Sequence, residues 1–179
     1  MKTEDVRYKD GDLNLHGLAA YDEHASGKRP AVVIMPDAFG IGPFVRERAE
    51  RLAKMGYVGF GADPYGNAFM AKDLQEGIKC AMALLEDPNV VRGRVRAALA
   101  TAASLPQVDP NRLAVMGYCM GGTCSLEIAR SRGAGRRFIS WWIGDQSAGC
   151  FRPSQGQGAR MQRRRRSVRA ACAGRRLYR

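Results

Sequence analysis

Histidine is nearly missing from this chain: two occur in 179 residues, His16 and His24, both close to the amino terminus. Chemistry that needs an imidazole therefore has few places to find one. No run of eighteen apolar residues occurs, which argues against a membrane-spanning helix and a membrane partner. The polar start Met1-Lys2-Thr3-Glu4-Asp5 also lacks the basic and then apolar plan of a secretion signal. The expectation is a soluble cytoplasmic protein. The five cysteines, Cys80, Cys119, Cys124, Cys150 and Cys172, are an odd number without a repeated spacing, so free thiols are expected rather than a disulfide framework.

Lysine is absent from residues 133–179, which hold 12 Arg and one acid, Asp145. The residues before them carry 17 basic and 16 acidic side chains, so nearly all of the formal charge of +12 sits on that last segment. Neither a period of 2 nor one of 3.6 can be followed there for more than a turn. The reading is a partial α/β domain over 1–132 and an Arg-rich tail over 133–179, disordered or out of frame.

What is present before residue 132 is alternating α/β material. Thr3 to Tyr8 and Asp12 to Tyr21 flank Asp10-Gly11 and predict a β-hairpin. Ala31-Val32-Val33-Ile34-Met35, ended by Pro36 and Asp37, is the short continuous apolar run of a strand buried on both faces. Val45, Ala49, Leu52 and Ala53 recur at helical spacing, Gly56 stops that helix, and Tyr57 to Ala62 is the next strand. Helices are expected over 71–85 and 90–104, then a turn over 106–111 and a strand over 113–116. This order predicts a parallel sheet with helices on both faces, incomplete on its C-terminal side.

The sharpest local signal is Gly117-Tyr118-Cys119-Met120-Gly121-Gly122, a Gly-x-Cys-x-Gly between that last strand and a helical stretch, Thr123 to Arg130. It is the nucleophile-elbow pattern with Cys in place of Ser. The nucleophile of an elbow sits on a sharp strained turn, so Gly117 and Gly121 are needed to let strand and helix pass without collision. Cys119 would then stand at a helix N-terminus, where the dipole favours thiolate, with the N–H of Met120 aimed where an oxyanion forms. A second donor should come from the turn after the strand at 31–35, by position the N–H of Ala38, next to Asp37.

The segments Pro30 to Gly40, Arg51 to Tyr57, Ala62-Asp63-Pro64-Tyr65-Gly66, and Val108 through Gly122 resemble, in order, the dienelactone hydrolase family of the α/β-hydrolase fold. The resemblance covers about residues 12–132. It implies a C-terminally truncated or frameshifted Cys-His-Asp hydrolase acting on a small-molecule lactone or related carboxylic ester, with no metal and no organic cofactor. In that family a Glu at the position of Asp37 contacts the resting nucleophile; Asp37, the corresponding modulator here, is one methylene shorter. The family places its triad Asp and His after the elbow, where this chain has no His. His16 reads as a hairpin surface residue and His24 as a loop residue. Acylation of the thiol without turnover is the expected behaviour.

Two other function classes compete with this one. Arg163-Arg164-Arg165-Arg166, with Arg160, Arg169, Arg175 and Arg176, has the charge of a nucleic-acid binder. Its aromatics, Phe138, Trp141, Trp142, Phe151 and Tyr178, avoid the Arg run, which argues against nucleic acid as a partner. The other class is a non-catalytic α/β interaction module. A third account of the tail comes from codons. Trp141-Trp142-Ile143 must be TGG TGG ATH, which one nucleotide later reads Gly-Gly, and the Arg163 to Ala170 segment shifted alike permits an Asp-rich loop. The expectation is a frame change between Ala129 and Gly135. An incomplete sheet would also leave an apolar edge and face near 113–116, so self-association or aggregation is expected.

Overall fold

The structure is a computed structural model in which residues 1–131 are described. The chain opens with the hairpin β1 (Lys2–Asp10) and β2 (Leu13–Tyr21), paired antiparallel through Asp10 opposite Leu13. Gly11, at φ 59, takes the first turn position, where a Gly is what a two-residue type II′ connection calls for. β3 (Arg29–Met35) follows and is buried along almost its whole length, as its continuous apolar run requires. Then come α1 (Pro43–Lys54), β4 (Val58–Gly61), α2 (Leu74–Leu85), α3 (Pro88–Ser104), β5 (Val108–Gly117) and α4 (Met120–Arg130).

The five strands form one sheet in the order β1-β2-β4-β3-β5. It is parallel only across β4-β3-β5, while β2 joins β4 antiparallel, so the sheet is mixed where a parallel one was expected. The hairpin is the reason, because its second strand must run back along its first. The side chains of β3 alternate between two cores. Ile34 packs with Leu18 and Ala20 against Val45, Ala49 and Ala53 of α1. Val33 and Met35 face the other way, toward Val91, Val95 and Ala98 of α3 and Cys124 and Ile128 of α4. Helices thus cover both faces, as the α/β-hydrolase reading expected. The outer edge of β5 has no strand partner among the described residues.

Helix starts follow local chemistry. Asp73 caps α2 by accepting the Glu76 N–H at 2.8 Å, while the Glu76 carboxylate accepts the Lys72 N–H at 2.9 Å. Asp87 caps α3 at the Asn89 N–H, with Pro88 in the first turn, where a missing N–H costs nothing. The turn expected over 106–111 is displaced: β5 already pairs with Arg29 at Val108. Asp109, Pro110 and Asn111 then bulge outward, with Asp109 accepting the Asn111 N–H at 2.9 Å, before pairing resumes at Leu113. Asx-turn chemistry at those residues made a bulge inside a strand instead of ending one.

The topology selects where a site can form. From β3 the chain crosses to β4 on one side, and β5 later inserts on the other, so the loops leaving β3 and β5 depart from adjacent strands toward opposite faces. A crevice opens beyond the carboxyl ends of strands at such a switch point.

Candidate active site

Cys119 lies at this switch point, at the N-cap of α4, with φ 51 and ψ −114. A positive φ at a residue with a side chain is strained and persists only where the surroundings enforce it. Three backbone bonds do so: Tyr118 N–H to Met35 at 3.3 Å, Gly121 N–H to Tyr118 at 2.8 Å and Gly122 N–H to Cys119 at 3.0 Å. Two glycines remove the obstacles. A Cβ on Gly117 would overlap the Gly121 carbonyl and stand 2.7 Å from the Gly122 nitrogen, and one on Gly121 would overlap the carbonyls of Met35 and Pro36. All of these obstacles are backbone atoms. The residues between the glycines anchor the turn from both sides. Tyr118 meets Phe44 of α1 edge-to-face at 4.9 Å, and the Arg48 guanidinium lies over both rings, while Met120 is buried in the opposite core.

The strain lifts the Cys119 side chain into solvent, and the residue is exposed. Cys80 is half-buried and Cys124 fully buried. Burial pushes the Cys124 thiol up to about 12, which keeps it protonated and inert at neutral pH.

The turn after β3 faces the elbow. Among the described residues, the N–H groups of Met120 and Ala38 have no acceptor, while the N–H that follows each of them, on Gly121 and Phe39, has one. The Asp37 carboxylate accepts the Phe39 N–H at 2.9 Å, and the Asp37 carbonyl accepts the Gly40 N–H at 3.3 Å. Asp37 therefore caps its own turn. This arrangement offers an exposed thiol at a helix N-terminus beside two free backbone donors, which is suited to nucleophilic attack on a carbonyl and to holding the oxyanion that results.

Neither histidine joins it. His16 is on β2, three strand positions from β5, roughly 14 Å away across the sheet. His24 is in the exposed β2–β3 loop, its N–H held by Asp22 at 3.0 Å. A cavity of about 550 Å³ beside the hairpin is lined by Arg7, His16 and Arg46 and by no residue of the elbow. Among the described residues no cluster of His, Cys, Asp or Glu could hold a metal, and no helix is long and apolar enough to cross a membrane. The Arg-rich tail, its expected disorder and the expected frame change lie outside the described residues.

Two residues gain importance that their sequence did not show. Asp63, fully buried after β4, accepts the N–H groups of His16, Tyr65, Gly66 and Ala68 at 2.8–3.1 Å. It fastens the 63–68 loop to β2. Tyr65, carried by that loop, places its hydroxyl 3.0 Å from the Ala38 carbonyl and 3.4 Å from the Met120 sulfur. The only available sequence signal was the block Asp63-Pro64-Tyr65-Gly66, which marks a turn and says nothing of its reach.

The profile of the dienelactone hydrolase family matches residues 15–148. A carboxymethylenebutenolidase of Pseudomonas sp. (strain P51) is 35% identical over 112 residues, covering 59% of this chain and 46% of that protein. A putative carboxymethylenebutenolidase of Synechocystis is 29% identical over 127 residues, covering 68% and 51%. The chain spans about half the length of these curated relatives. Among solved structures, a protein titled m3DLH superposes with a TM-score of 0.70 at 41% identity, covering 72% of this chain and 54% of that one. A dienelactone hydrolase-like promiscuous phosphotriesterase from metagenomic libraries gives 0.74 at 34% identity, covering 80% and 59%.

Proposed function

The chain belongs to the dienelactone hydrolase family, and from that premise we propose that it carries the nucleophile half of a hydrolase for small-molecule lactones and related carboxylic esters, with Cys119 as the nucleophile. The observation that carries this reading is the strained, exposed Cys119 at the N-terminus of α4, beside the free N–H groups of Met120 and Ala38. The thiolate sulfur attacks the carbonyl carbon, a C–S bond forms, and the carbonyl π pair moves onto oxygen, where the two N–H groups receive it. Collapse of that intermediate breaks the C–O bond and expels the leaving oxygen with its electron pair. An acyl-thioester remains. Asp37 modulates the step through the turn it caps, since its carboxylate orders the peptide that follows the Ala38 donor.

Hydrolysis of the thioester needs a base to take a proton from water, and His16 and His24 are too remote to serve. This 179-residue chain therefore acylates once and stalls. A nitrophenyl ester tests the reading, because its leaving group departs as a stable anion. The expected result is a burst approaching one equivalent of nitrophenolate, one acyl group on Cys119 by mass spectrometry, and no burst in Cys119→Ala. Acyl transfer to another residue, or an equal burst without Cys119, refutes it.

A further inference from the structure

The Ala38 donor belongs to a turn whose peptides are held from the Asp37 carbonyl onward. The peptide joining residues 37 and 38 is held at its carbonyl by the Gly40 N–H, which leaves the Ala38 N–H free. The next peptide is held at both ends: its N–H, on Phe39, goes to the Asp37 carboxylate at 2.9 Å, and its carbonyl, on Ala38, accepts the Tyr65 hydroxyl at 3.0 Å. Of these contacts the one from Tyr65 alone comes from outside the turn. The same hydroxyl touches the side chain of Met120, whose N–H is the other free donor. A hydroxyl has one proton and a thioether is a weak acceptor, so the proton goes to the carbonyl while the sulfur packs against the oxygen.

Tyr65 is itself rigidly placed. Its N–H is fixed by Asp63, its ring meets Phe69 edge-to-face at 5.8 Å, and a Cβ on Gly40 would stand 3.5 Å from that ring. Burial first, then the nearby thiols of Cys80 and Cys124, the Asp37 carboxylate and the Cys119 thiol, push the hydroxyl up from its ordinary value, so it remains a donor at neutral pH. On the far side Gly77 of α2 approaches so closely that a Cβ there would lie 3.0 Å from the Ala38 oxygen. The carbonyl is thus confined between a helix and a phenol.

We propose that Tyr65 is a positioning residue for the oxyanion: its hydroxyl, bridging the Ala38 carbonyl and the Met120 side chain, sets the relative aim of the two backbone donors that flank Cys119. The inference rests on the nucleophile reading above. Without the hydroxyl, the buried Ala38 carbonyl loses its partner and the peptide turns toward one, which carries the adjoining N–H out of line.

The experiment compares two reactions at one sulfur in the full chain. Acylation by a nitrophenyl ester builds an oxyanion; alkylation by iodoacetamide displaces iodide and builds none. Tyr65→Phe should lower the acylation rate of Cys119 by roughly tenfold or more and leave its alkylation rate unchanged within about twofold. Unchanged acylation overturns the inference. Equal loss of both reactions, or new labelling of buried Cys124, makes Tyr65 a packing residue and overturns it too. A wild-type chain that accepts iodoacetamide at Cys119 but no acyl group overturns the nucleophile reading itself, and the inference falls with it.

Discussion

Replacing Asp63 by Asn should unfold this domain far more readily than its small change in shape suggests. One carboxylate oxygen accepts from Tyr65 and Gly66, the other from His16 and Ala68, and the side chain has no exposure to water. Asn keeps one acceptor oxygen and turns an NH₂ donor toward the other pair of N–H groups. Two part-buried donors are then left facing a donor, at about 1–3 kcal/mol each, and the two remaining bonds lose their charge assistance. The expected loss is about 3–6 kcal/mol, a large share of the roughly 5–15 kcal/mol that holds a domain together. Asp109 is the natural control. It makes the same kind of local turn bond, to the Asn111 N–H, but is partly exposed and makes only that bond, so Asp109→Asn should cost no more than about 0.5 kcal/mol. Urea unfolding followed by far-ultraviolet circular dichroism measures both. A loss below about 1 kcal/mol for Asp63→Asn would show that water or loop movement replaces the two lost contacts, and would refute this account of the loop that carries Tyr65.

Gly121→Ala should abolish acylation and destabilise the chain by about 3 kcal/mol or more, because the new methyl meets two main-chain carbonyls that no rotamer change can move; nitrophenolate release and thermal melting read the two effects. At neutral pH iodoacetamide should label Cys119 first among the three described cysteines, then Cys80, with Cys124 last, and peptide mapping of a time course gives the order. The folded Cys124 thiol titrates near 12 instead of about 9, so between those values the unfolded chain has already lost its proton while the folded chain keeps it. Stability therefore falls as pH rises through that window, and urea midpoints between pH 8 and 11 should fall less steeply in Cys124→Ala. The gene offers a separate check: read one nucleotide on from the codons for Ala129 to Gly135, the frame should give Gly-Gly across Trp141-Trp142, an Asp within Arg163 to Arg166, and a His beyond the present end. A stop soon after the Gly-Gly would refute the frame change.

The sequence by itself determined the parts of this protein governed by short-range sterics. Gly117 and Gly121 around Cys119 announced the elbow, since a strand that turns directly into a helix leaves no room for a methyl at either position. The unbroken run Ala31 to Met35 announced a strand covered on both faces, and Gly11 the hairpin. Only the tertiary structure decided what surrounds the thiol. The insertion of β3 between β4 and β5 brings the Ala38 turn beside the elbow, and strand order is a long-range choice with no local signature. Asp63 finds one of its donors 47 residues away on β2, and the Tyr65 hydroxyl reaches partners 27 and 55 residues away. Asp37 looked in the sequence like a shortened partner for the thiol, yet a backbone N–H two residues on lies within its reach at 2.9 Å. Hydrogen bonds to backbone groups depend on where the chain passes and not on which side chains it carries, so the polar scaffold of the site became visible only once the chain was folded.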